Sequence, residues 1–475
     1  MNKNSIRSDV AIKLLLVVSF LLKAFSYQDK SIGWDESTYL AIGKYFYSWG
    51  QVGFIEAFRP IVWPLIVGLC WKLHFDVFFI GGIIQIFFGL GSIYCVYLIG
   101  TKVFNQGVGL LAAVLFSLSS TYYYCNTMLL TDIPSTFLGL WAVYLLLDKK
   151  YFLSGLIGML AFLTRFTQSL TVELMFIFLL VNTVKSKQVK PVIRFVMGMA
   201  CLLLPYLLYN YLMYGNMLAF YIDSKIGYSQ FTSPWHEGII LVLSTLFTNE
   251  SWVFIFILPA LVYILFNDFR MEVLLLLAIG IAQFVWIGKL PVEIVRYLIS
   301  CLPYLYMMSA LGIYVVYSFL TPRFRLLPKI FILIVMVFVL QLISRFNCVE
   351  FPHNPINAIQ RYTMTNYEHL KGKHIWMSNP KHFTYVDLKI DESMFYPRFN
   401  VDKIAYLRSH LSNVDYIFLD SSNLGCNKET SSACEDEKWK LIDQIKSEFK
   451  QEISLPSPDG KNIEAVYKKI PHFVR

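Results

Sequence analysis

The chain has 475 residues, of which 56% are hydrophobic and 15% charged, and its formal net charge is +9. Soluble domains average about 45–50% apolar and about 25% charged residues, so the composition excludes a soluble globular protein and indicates an integral membrane protein. The basic residues lie mostly in short loops between apolar runs. The positive-inside bias of membrane proteins accounts for them there, which argues against a nucleic-acid partner.

The first apolar run, Val10 to Phe25, follows Lys3 and Arg7. No small-residue cleavage site follows it, so it is interpreted as a retained span with a cytoplasmic N-terminus. A helix needs about 20 mainly apolar residues to cross a bilayer. The sequence predicts roughly eleven spans, at 10–28, 78–101, 108–125, 133–148, 152–165, 168–184, 192–209, 251–266, 271–287, 297–319 and 329–344. With the N-terminus inside, most short cationic loops face the cytoplasm, as the positive-inside rule requires.

Two longer segments are predicted outside the membrane, at 29–77 and 210–250. The first contains a short apolar piece, Pro60 to Leu73, which suits a helix lying along the interface. The second is rich in Tyr, Ser and Gly, and a long ordered loop of this kind is often an active-site lid.

The tail changes character after about residue 346, because it is polar and has strand-like runs at 374–377 and 416–419. A helical stretch at 437–450 follows, and then a hairpin-like end around Pro458-Asp459-Gly460. The predicted fold class is therefore an α-helical polytopic membrane protein with a small extracytoplasmic α/β domain. The predicted domains are a transmembrane domain at 1–345 and the α/β domain at 346–475.

The chain contains eight cysteines, of which five lie in or against apolar runs. Cys426 and Cys434 lie in the polar tail and could form a disulfide if the tail is extracytoplasmic. The sequence contains no CxxC motif or His/Cys spacing that indicates zinc.

Three carboxylates are candidates for chemistry at the external ends of the predicted spans. Asp35 and Glu36 are adjacent, directly after the first span, and Asp132 precedes Ile133 and Pro134 at the start of a later one. Ionisable groups at membrane depth are functional by default, and a carboxylate in a partly dry cleft can take a proton from an acceptor. The alternatives are that the first two acids are merely solvated and that Asp132 caps its helix.

Three arginines, Arg59, Arg165 and Arg296, lie at external span ends. Guanidinium groups hold phosphate bidentately and stay charged, so these arginines suit the phosphate of a lipid-linked substrate. Alternatively, they snorkel to the interface or pair with nearby acids, for which the candidates are Glu56, Glu173 and Glu293.

These motifs resemble those of the GT-C membrane glycosyltransferases of the protein O-mannosyltransferase and aminoarabinose-transferase superfamily. The likeness rests on five stretches: Gly33-Trp34-Asp35-Glu36, Arg59-Pro60-Ile61-Val62-Trp63-Pro64, Leu130-Thr131-Asp132-Ile133-Pro134, Ala161-Phe162-Leu163-Thr164-Arg165-Phe166 and Glu293-Ile294-Val295-Arg296-Tyr297-Leu298. The second is similar to a basic-Pro-Pro-x-x-Pro motif, with Ile61 in place of the second proline. The likeness covers about residues 30–340 and does not extend to the tail.

The resemblance implies a polyprenyl-phosphate-linked sugar donor and transfer with inversion at the anomeric carbon. The implied catalytic residues are Asp35 as base or acceptor-orienting group, with Glu36 and Asp132 as neighbours. The donor phosphate would be held by Arg59 and Arg296, with Arg165 as a weaker candidate, and Tyr297 lies beside it. Some relatives use a divalent metal, so metal dependence stays open here.

The sequence therefore predicts a membrane glycosyltransferase that works on the extracytoplasmic face in contact with membrane lipid. Its partners would be the lipid-linked donor and an acceptor that is a protein, a lipid or a glycan. The alternative functions are a polytopic transporter or lipid flippase and a non-catalytic scaffold that presents the tail. Against the transporter, the charged groups cluster on one face and the sequence suggests no interrupted helices in matching halves.

Overall fold

A computed structural model of the protein describes residues 3–25, 32–229, 235–267, 269–289, 294–321, 327–345, 356–395, 399–426, 431–455 and 462–470. These residues are mostly helical. The described residues before the tail form seventeen helices: α1 Lys3–Phe25, α2 Trp34–Tyr47, α3 Val62–Lys72, α4 Val77–Val103, α5 Gln106–Ser117, α6 Ser120–Asn126, α7 Asp132–Leu147, α8 Tyr151–Thr164, α9 Ser169–Ser186, α10 Lys190–Tyr214, α11 Ala219–Ser229, α12 Trp235–Thr245, α13 Ile257–Asn267, α14 Met271–Ile287, α15 Ile294–Tyr297, α16 Leu302–Leu320 and α17 Leu327–Arg345.

The tail contains helices α18 Ala358–Thr365, α19 Tyr367–Leu370, α20 Val401–His410 and α21 Ser431–Glu448. Its strands are β1 Ile375–Met377, β2 Glu392–Ser393, β3 Tyr416–Asp420, β4 Phe449–Leu455 and β5 Glu464–Lys469. Short 3-10 segments occupy Phe166–Gln168, Trp252–Phe256, Leu298–Ser300, Pro380–Phe383, Leu411–Asn413 and Ser421–Asn423, and Leu246–Glu250 is π-helical.

The chain divides into two compact units. Unit 1 consists of Met1–Gln28, Phe78–Tyr209 and Phe231–Phe351. Unit 2 consists of Asp29–Val77, Asn210–Gln230 and Pro352–Arg475. Unit 2 thus combines the first long loop, part of the second and the tail.

The membrane helices belong to unit 1. Among the described residues, four helices are long and apolar enough to span a membrane, namely α4, Phe166–Ser186, α10 and α16, or up to six if each of two bent pairs counts as one span. Large apolar side chains are exposed there, including Leu204 at 62% and Phe266 at 81%, as lipid-facing residues require. Shorter apolar helices such as α7, α8 and α14 complete the bundle.

One predicted span is broken at a serine cap, and a second serine-capped break separates an apolar helix in the predicted loop at 210–250 from the span that follows it. The run at 108–125 bends by 62° between α5 and α6, where the Ser119 hydroxyl accepts a hydrogen bond from the Tyr122 N–H at 3.1 Å. The Gly238–Glu250 and Trp252–Asn267 helices meet at 115°, where Ser251 caps the second of them. Hydropathy does not register such breaks, since both sides of each are equally apolar.

Buried Glu250 joins the two breaks within unit 1. Its Oε1 accepts from the Ser119 hydroxyl at 3.1 Å and from the Thr121 N–H at 2.9 Å, while its Oε2 accepts from the Tyr306 hydroxyl at 2.6 Å. A buried carboxylate requires partners of this kind, because losing its hydration without replacement is costly. Glu250 therefore has a structural role in the bundle.

The sheet of unit 2 has the strand order β2-β1-β3-β5-β4. The first three strands are mutually parallel, with Ile375 opposite Tyr416, and β5 runs antiparallel to both β3 and β4. Side chains of β3 alternate between two cores, since Ile417 and Leu419 face one and Phe418 faces the other. The predicted strands at 374–377 and 416–419 and the predicted helix at 437–450 match β1, β3 and α21.

The second core of this sheet includes residues that lie far upstream in the chain. Phe54, from the first long loop, packs in the same cluster as Phe418 and Val466. The backbone of Gly53 pairs with the tail, donating from its N–H to the Leu388 carbonyl at 2.9 Å. The first loop and the tail therefore form one hydrophobic core.

Cys426 and Cys434 form a disulfide bond within unit 2, as the sequence allowed. The predicted hairpin end around Pro458, Asp459 and Gly460 lies outside the described residues, although β4 and β5 on either side of it are paired.

Candidate functional site

The predicted site residues form two groups, one in each unit. The group in unit 2 consists of Asp35, Glu36 and Arg59, and the group in unit 1 consists of Asp132, Arg165, Arg296 and Tyr297.

In unit 2, Arg59 lies between two carboxylates. Its Nη1 donates to Asp35 Oδ1 at 2.5 Å and its Nε donates to Glu56 Oε1 at 3.1 Å. The Arg59 side chain is 9% exposed, and those of Asp35 and Glu56 are 15% and 8% exposed. Charge-assisted hydrogen bonds this well shielded from water fix the geometry of all three groups.

Close packing of α2 against α3 makes this contact between distant motifs possible. A Cβ added to Gly43 would lie 2.4 Å from the Pro64 carbonyl oxygen, and one added to Gly68 would lie 2.6 Å from Gly43. The two helices therefore touch backbone to backbone. Asp35 in the first turn of α2 is held beside Arg59, which directly precedes α3.

Glu36 has a local task at the start of α2. Its Oε2 accepts a hydrogen bond from the Gly33 N–H at 2.5 Å, as the acidic member of a capping box does. Two other residues of α2 contact the tail. The Thr384 hydroxyl donates to the Ser37 hydroxyl at 2.7 Å, and Lys44 forms an ion pair with Asp387 at 2.8 Å.

Glu56 is the functional candidate that sequence reasoning did not assign to the site. The sequence suggests Glu56 only as a structural partner of Arg59, and the structure contains that ion pair. Burial raises the pKa of Glu56 to about 7, while Arg59 opposes the rise and Asp35 and Asp223 add to it. A carboxyl group with a pKa near neutrality exchanges protons readily at physiological pH. Its spacing of three residues from a motif arginine is the signal that could have found it.

Replacing Glu56 by glutamine should change how stability depends on pH. The folded-state pKa of Glu56, about 7, lies above its ordinary value of 4.5. Folded protein thus holds this proton more tightly than unfolded protein, and the stability contributed by Glu56 falls as pH rises from about 4.5 to about 7. Melting temperatures of both proteins should be measured in nanodiscs at pH 5, 6, 7 and 8. The melting temperature of Glu56→Gln should rise relative to that of the wild type as the pH increases through this range. A constant difference between them would contradict the raised pKa.

In unit 1, Asp132 is the first residue of α7 and is buried, with a side chain only 1% exposed. Arg165, at the end of α8, forms an ion pair with it at 2.8 Å and lies 3.3 Å from the Thr131 hydroxyl. The N-terminus of α7 also favours a negative charge at this position. Arg165 therefore pairs with Asp132 and not with Glu173, its predicted alternative partner. This ion pair links two of the predicted motifs.

Tyr297 lies between two guanidinium groups of unit 1. The guanidinium carbon of Arg165 is 4.9 Å from the centre of its ring, and that of Arg296 is 5.1 Å away. Cation–π contacts of this length are favourable. Asp132, Arg165, Arg296 and Tyr297 thus form one cluster, which brings together residues from three of the predicted motifs. Glu293, the predicted alternative partner of Arg296, lies outside the described residues.

Each of the two candidate aspartates is bound by an arginine. Arg59 already binds Asp35, and Arg165 already binds Asp132, so each has the cationic partner that a metal ion would otherwise provide. Within the described parts of the chain, no three His, Cys, Asp or Glu side chains lie close enough together to hold a metal ion.

Part of the chain matches a known protein family in sequence. Residues 58–209 match the family described as dolichyl-phosphate-mannose-protein mannosyltransferase. No curated protein sequence matches the chain significantly.

Solved structures of similar fold cover nearly the whole chain. ArnT from Cupriavidus metallidurans, bound to undecaprenyl phosphate, matches with a TM-score of 0.61 and 9% identity over 98% of both chains. The Archaeoglobus fulgidus oligosaccharyltransferase AglB, in complex with an inhibitory peptide and a dolichol-phosphate, matches with a TM-score of 0.57 and 12% identity over 98% of this chain and 75% of that one. The arabinofuranosyltransferase AftD from Mycobacteria matches with a TM-score of 0.53 and 11% identity over 96% of this chain and 41% of that one.

The family match and these structural neighbours are all glycosyltransferases. They confirm the resemblance that the motifs predicted, and they favour a glycosyltransferase over the transporter alternative. The chain has the fold of the GT-C membrane glycosyltransferases, and its residues 58–209 match the dolichyl-phosphate-mannose-protein mannosyltransferase family in sequence.

Proposed function

We propose that the protein is an inverting membrane glycosyltransferase that moves a sugar from a polyprenyl-phosphate-linked donor to an acceptor on the extracytoplasmic face. The observation that carries this proposal is the pairing of residues from separate motifs. Asp35 binds Arg59 in one unit, and Asp132 binds Arg165 in the other. Acid–guanidinium pairs formed from motif residues suit a reaction that removes a proton and releases a phosphate.

In the proposed step, Asp35 takes a proton from the hydroxyl or amine of the acceptor. The acceptor atom forms a bond to the anomeric carbon as the bond from that carbon to the phosphate oxygen breaks. The electron pair leaves with the polyprenyl phosphate, and the Asp35 proton passes to solvent. Attack opposite the leaving group inverts the anomeric carbon.

The donor phosphate gains negative charge as this bond breaks. We assign it to Arg296 and Arg165, because both guanidinium groups come from predicted basic motifs and lie about 5 Å from the same ring of Tyr297. Arg59 remains a candidate from its motif, but two carboxylates beside it lower the positive potential it offers to a phosphate. Arg59 would also orient Asp35, to whose Oδ1 it donates a hydrogen bond.

A direct assay tests the proposal. Purified protein in nanodiscs is incubated with polyprenyl-phosphate hexose carrying a radiolabel in the sugar. Sugar transfer to an acceptor, or release of free sugar by hydrolysis, supports the enzyme. Counterflow of the labelled lipid across liposomes without either reaction would instead support the transporter.

The proposed topology has about eleven spans, a cytoplasmic N-terminus, and an active site and tail domain outside the cytoplasm. The positive-inside distribution of the loops supports it, as does the Cys426–Cys434 disulfide, since disulfides persist in oxidising compartments.

Labelling of intact cells should locate the tail. After treatment with a membrane-impermeant reductant, an impermeant maleimide should modify the half-buried Cys426, identified by mass spectrometry, whereas Cys434 is fully buried. A cysteine introduced at exposed Lys149, in a predicted cytoplasmic loop, should react only after the cells are permeabilised. Labelling of Lys149→Cys in intact cells would contradict the proposed topology, because it would place this loop outside the cytoplasm.

A further inference from the structure

Unit 2 contains a cavity of about 950 Å³. It is bounded by three parts of the chain: the segment from Tyr45 to Glu56, helix α11, and tail residues at 389–395 and 399–403. Its volume lies near the upper end of the range of small-molecule sites, about 300–1,000 Å³. It is therefore large enough to bind a substrate.

Glu56 connects this cavity to the proposed base. It lines the cavity, and its Oε1 accepts from Arg59, whose Nη1 binds Asp35. A single guanidinium group thus lies between the cavity wall and Asp35. A substrate that fills the cavity and contacts Glu56 therefore lies close to Asp35, the proposed base.

Trp49 lines the same cavity with an almost fully exposed ring. Its side chain is 91% exposed, and its backbone is left-handed, with φ of 57°. This backbone belongs to the turn that ends α2, where the Gly50 N–H donates to the Tyr45 carbonyl at 2.9 Å. An exposed indole that gains no packing from the fold is available to stack on a ligand.

The cavity is lined by five carboxylates and two cations. Its carboxylates are Glu56, Asp223, Asp391, Glu392 and Asp402, and its cations are Lys389 and Lys403. Three of these carboxylates already have cationic partners: Glu56 pairs with Arg59, Asp391 with Lys389 at 3.3 Å, and Glu392 with Lys403. The lining therefore offers many hydrogen-bond donors and acceptors, and three of its five carboxylates are bound by cations.

We propose that this cavity is the acceptor site and that it takes a carbohydrate, which stacks on Trp49 and donates a hydroxyl hydrogen bond to Glu56. The inference rests on the proposed glycosyltransferase function and names the acceptor class, so that the enzyme extends a glycan. Sugar rings combine apolar C–H faces with many hydroxyl groups, which matches an aromatic surface beside compensated ion pairs.

The test is binding of neutral disaccharides of mannose, glucose and galactose to the full-length protein in nanodiscs, measured by saturation-transfer NMR. A pentalysine peptide serves as the competing class of ligand. Trp49→Ala should weaken disaccharide binding by about threefold to tenfold, the loss expected for one aromatic contact. Trp439→Ala, which removes another exposed indole of unit 2 that does not line the cavity, should leave it unchanged.

Binding of disaccharides that depends on Trp49 and not on Trp439 supports the inference. Binding of pentalysine but of no disaccharide overturns it, as does disaccharide binding that both variants retain in full. Donor hydrolysis by the same preparation separates the two proposals. If the donor is hydrolysed but no disaccharide binds, only the acceptor inference fails, whereas the absence of donor turnover and of transfer counts against the enzyme itself.

Discussion

Replacing Asp35 by asparagine should lower turnover by about 100-fold to 10,000-fold, the contribution typical of a general base. Asparagine keeps the shape of the side chain and can still accept the hydrogen bond from Arg59, which is 2.5 Å long in the wild type. It cannot take a proton from the acceptor. Single-turnover transfer of labelled sugar measures the loss, and donor binding measured in parallel should change little.

Asp387→Asn is the matched control, because it makes the same chemical change in another ion pair of unit 2. Asp387 pairs with Lys44 at 2.8 Å and was not predicted to take part in the reaction. Its turnover should stay near that of the wild type. Wild-type transfer rates in Asp35→Asn would remove Asp35 as the base, and an equal loss in both variants would indicate a general loss of structure.

Replacing Arg296 by glutamine should weaken the apparent affinity for the donor by about 10-fold to 100-fold. A hydrogen bond to a charged group contributes about 1.5–3 kcal/mol, and every 1.4 kcal/mol corresponds to about tenfold in affinity. The loss should appear as a higher KM for the polyprenyl-phosphate sugar. Because the phosphate gains charge in the transition state, kcat should fall as well.

Arg194→Gln is the control for charge alone, since Arg194 is an exposed arginine of unit 1 on α10. Its kinetics should match those of the wild type. Truncation of the donor distinguishes the roles further: a donor with a shorter prenyl chain should lose affinity equally in wild type and Arg296→Gln. An unchanged donor KM in Arg296→Gln would assign the phosphate elsewhere, with Arg59 as the next candidate.

The two variants should separate the halves of the reaction. Asp35→Asn lowers kcat with little change in the donor KM, whereas Arg296→Gln changes the donor KM most. Asp35 belongs to unit 2 and Arg296 to unit 1. Comparable effects on the same kinetic parameter would argue against separate tasks for the two groups.

Much of the candidate site was predictable from sequence because its residues occur in motifs. Arg59 and Asp35 were both singled out, and the structure brings them together; the same holds for Asp132 and Arg165. Their catalytic roles remain predictions. Glu56 was recognised only as a partner of Arg59, because nothing in a linear sequence reports burial, and burial is the largest cause of its raised pKa.

The number of spans was harder to predict. Hydropathy gave roughly eleven spans by length and composition, whereas the described residues contain four long apolar helices, or up to six with the bent pairs. The breaks at Ser119 and Ser251 depend on hydroxyl groups that leave the mean hydropathy of a segment almost unchanged.

The sequence by itself determined the membrane class, the chemistry-bearing motifs and the strands of the tail, because each of these depends on composition or on a short local pattern. Only the tertiary structure decided that the first loop and the tail share one core around Phe54 and Phe418, and that a cavity lies beside Glu56. The physical reason is that burial and long-range contact depend on packing between segments hundreds of residues apart. Local propensity carries no information about that packing.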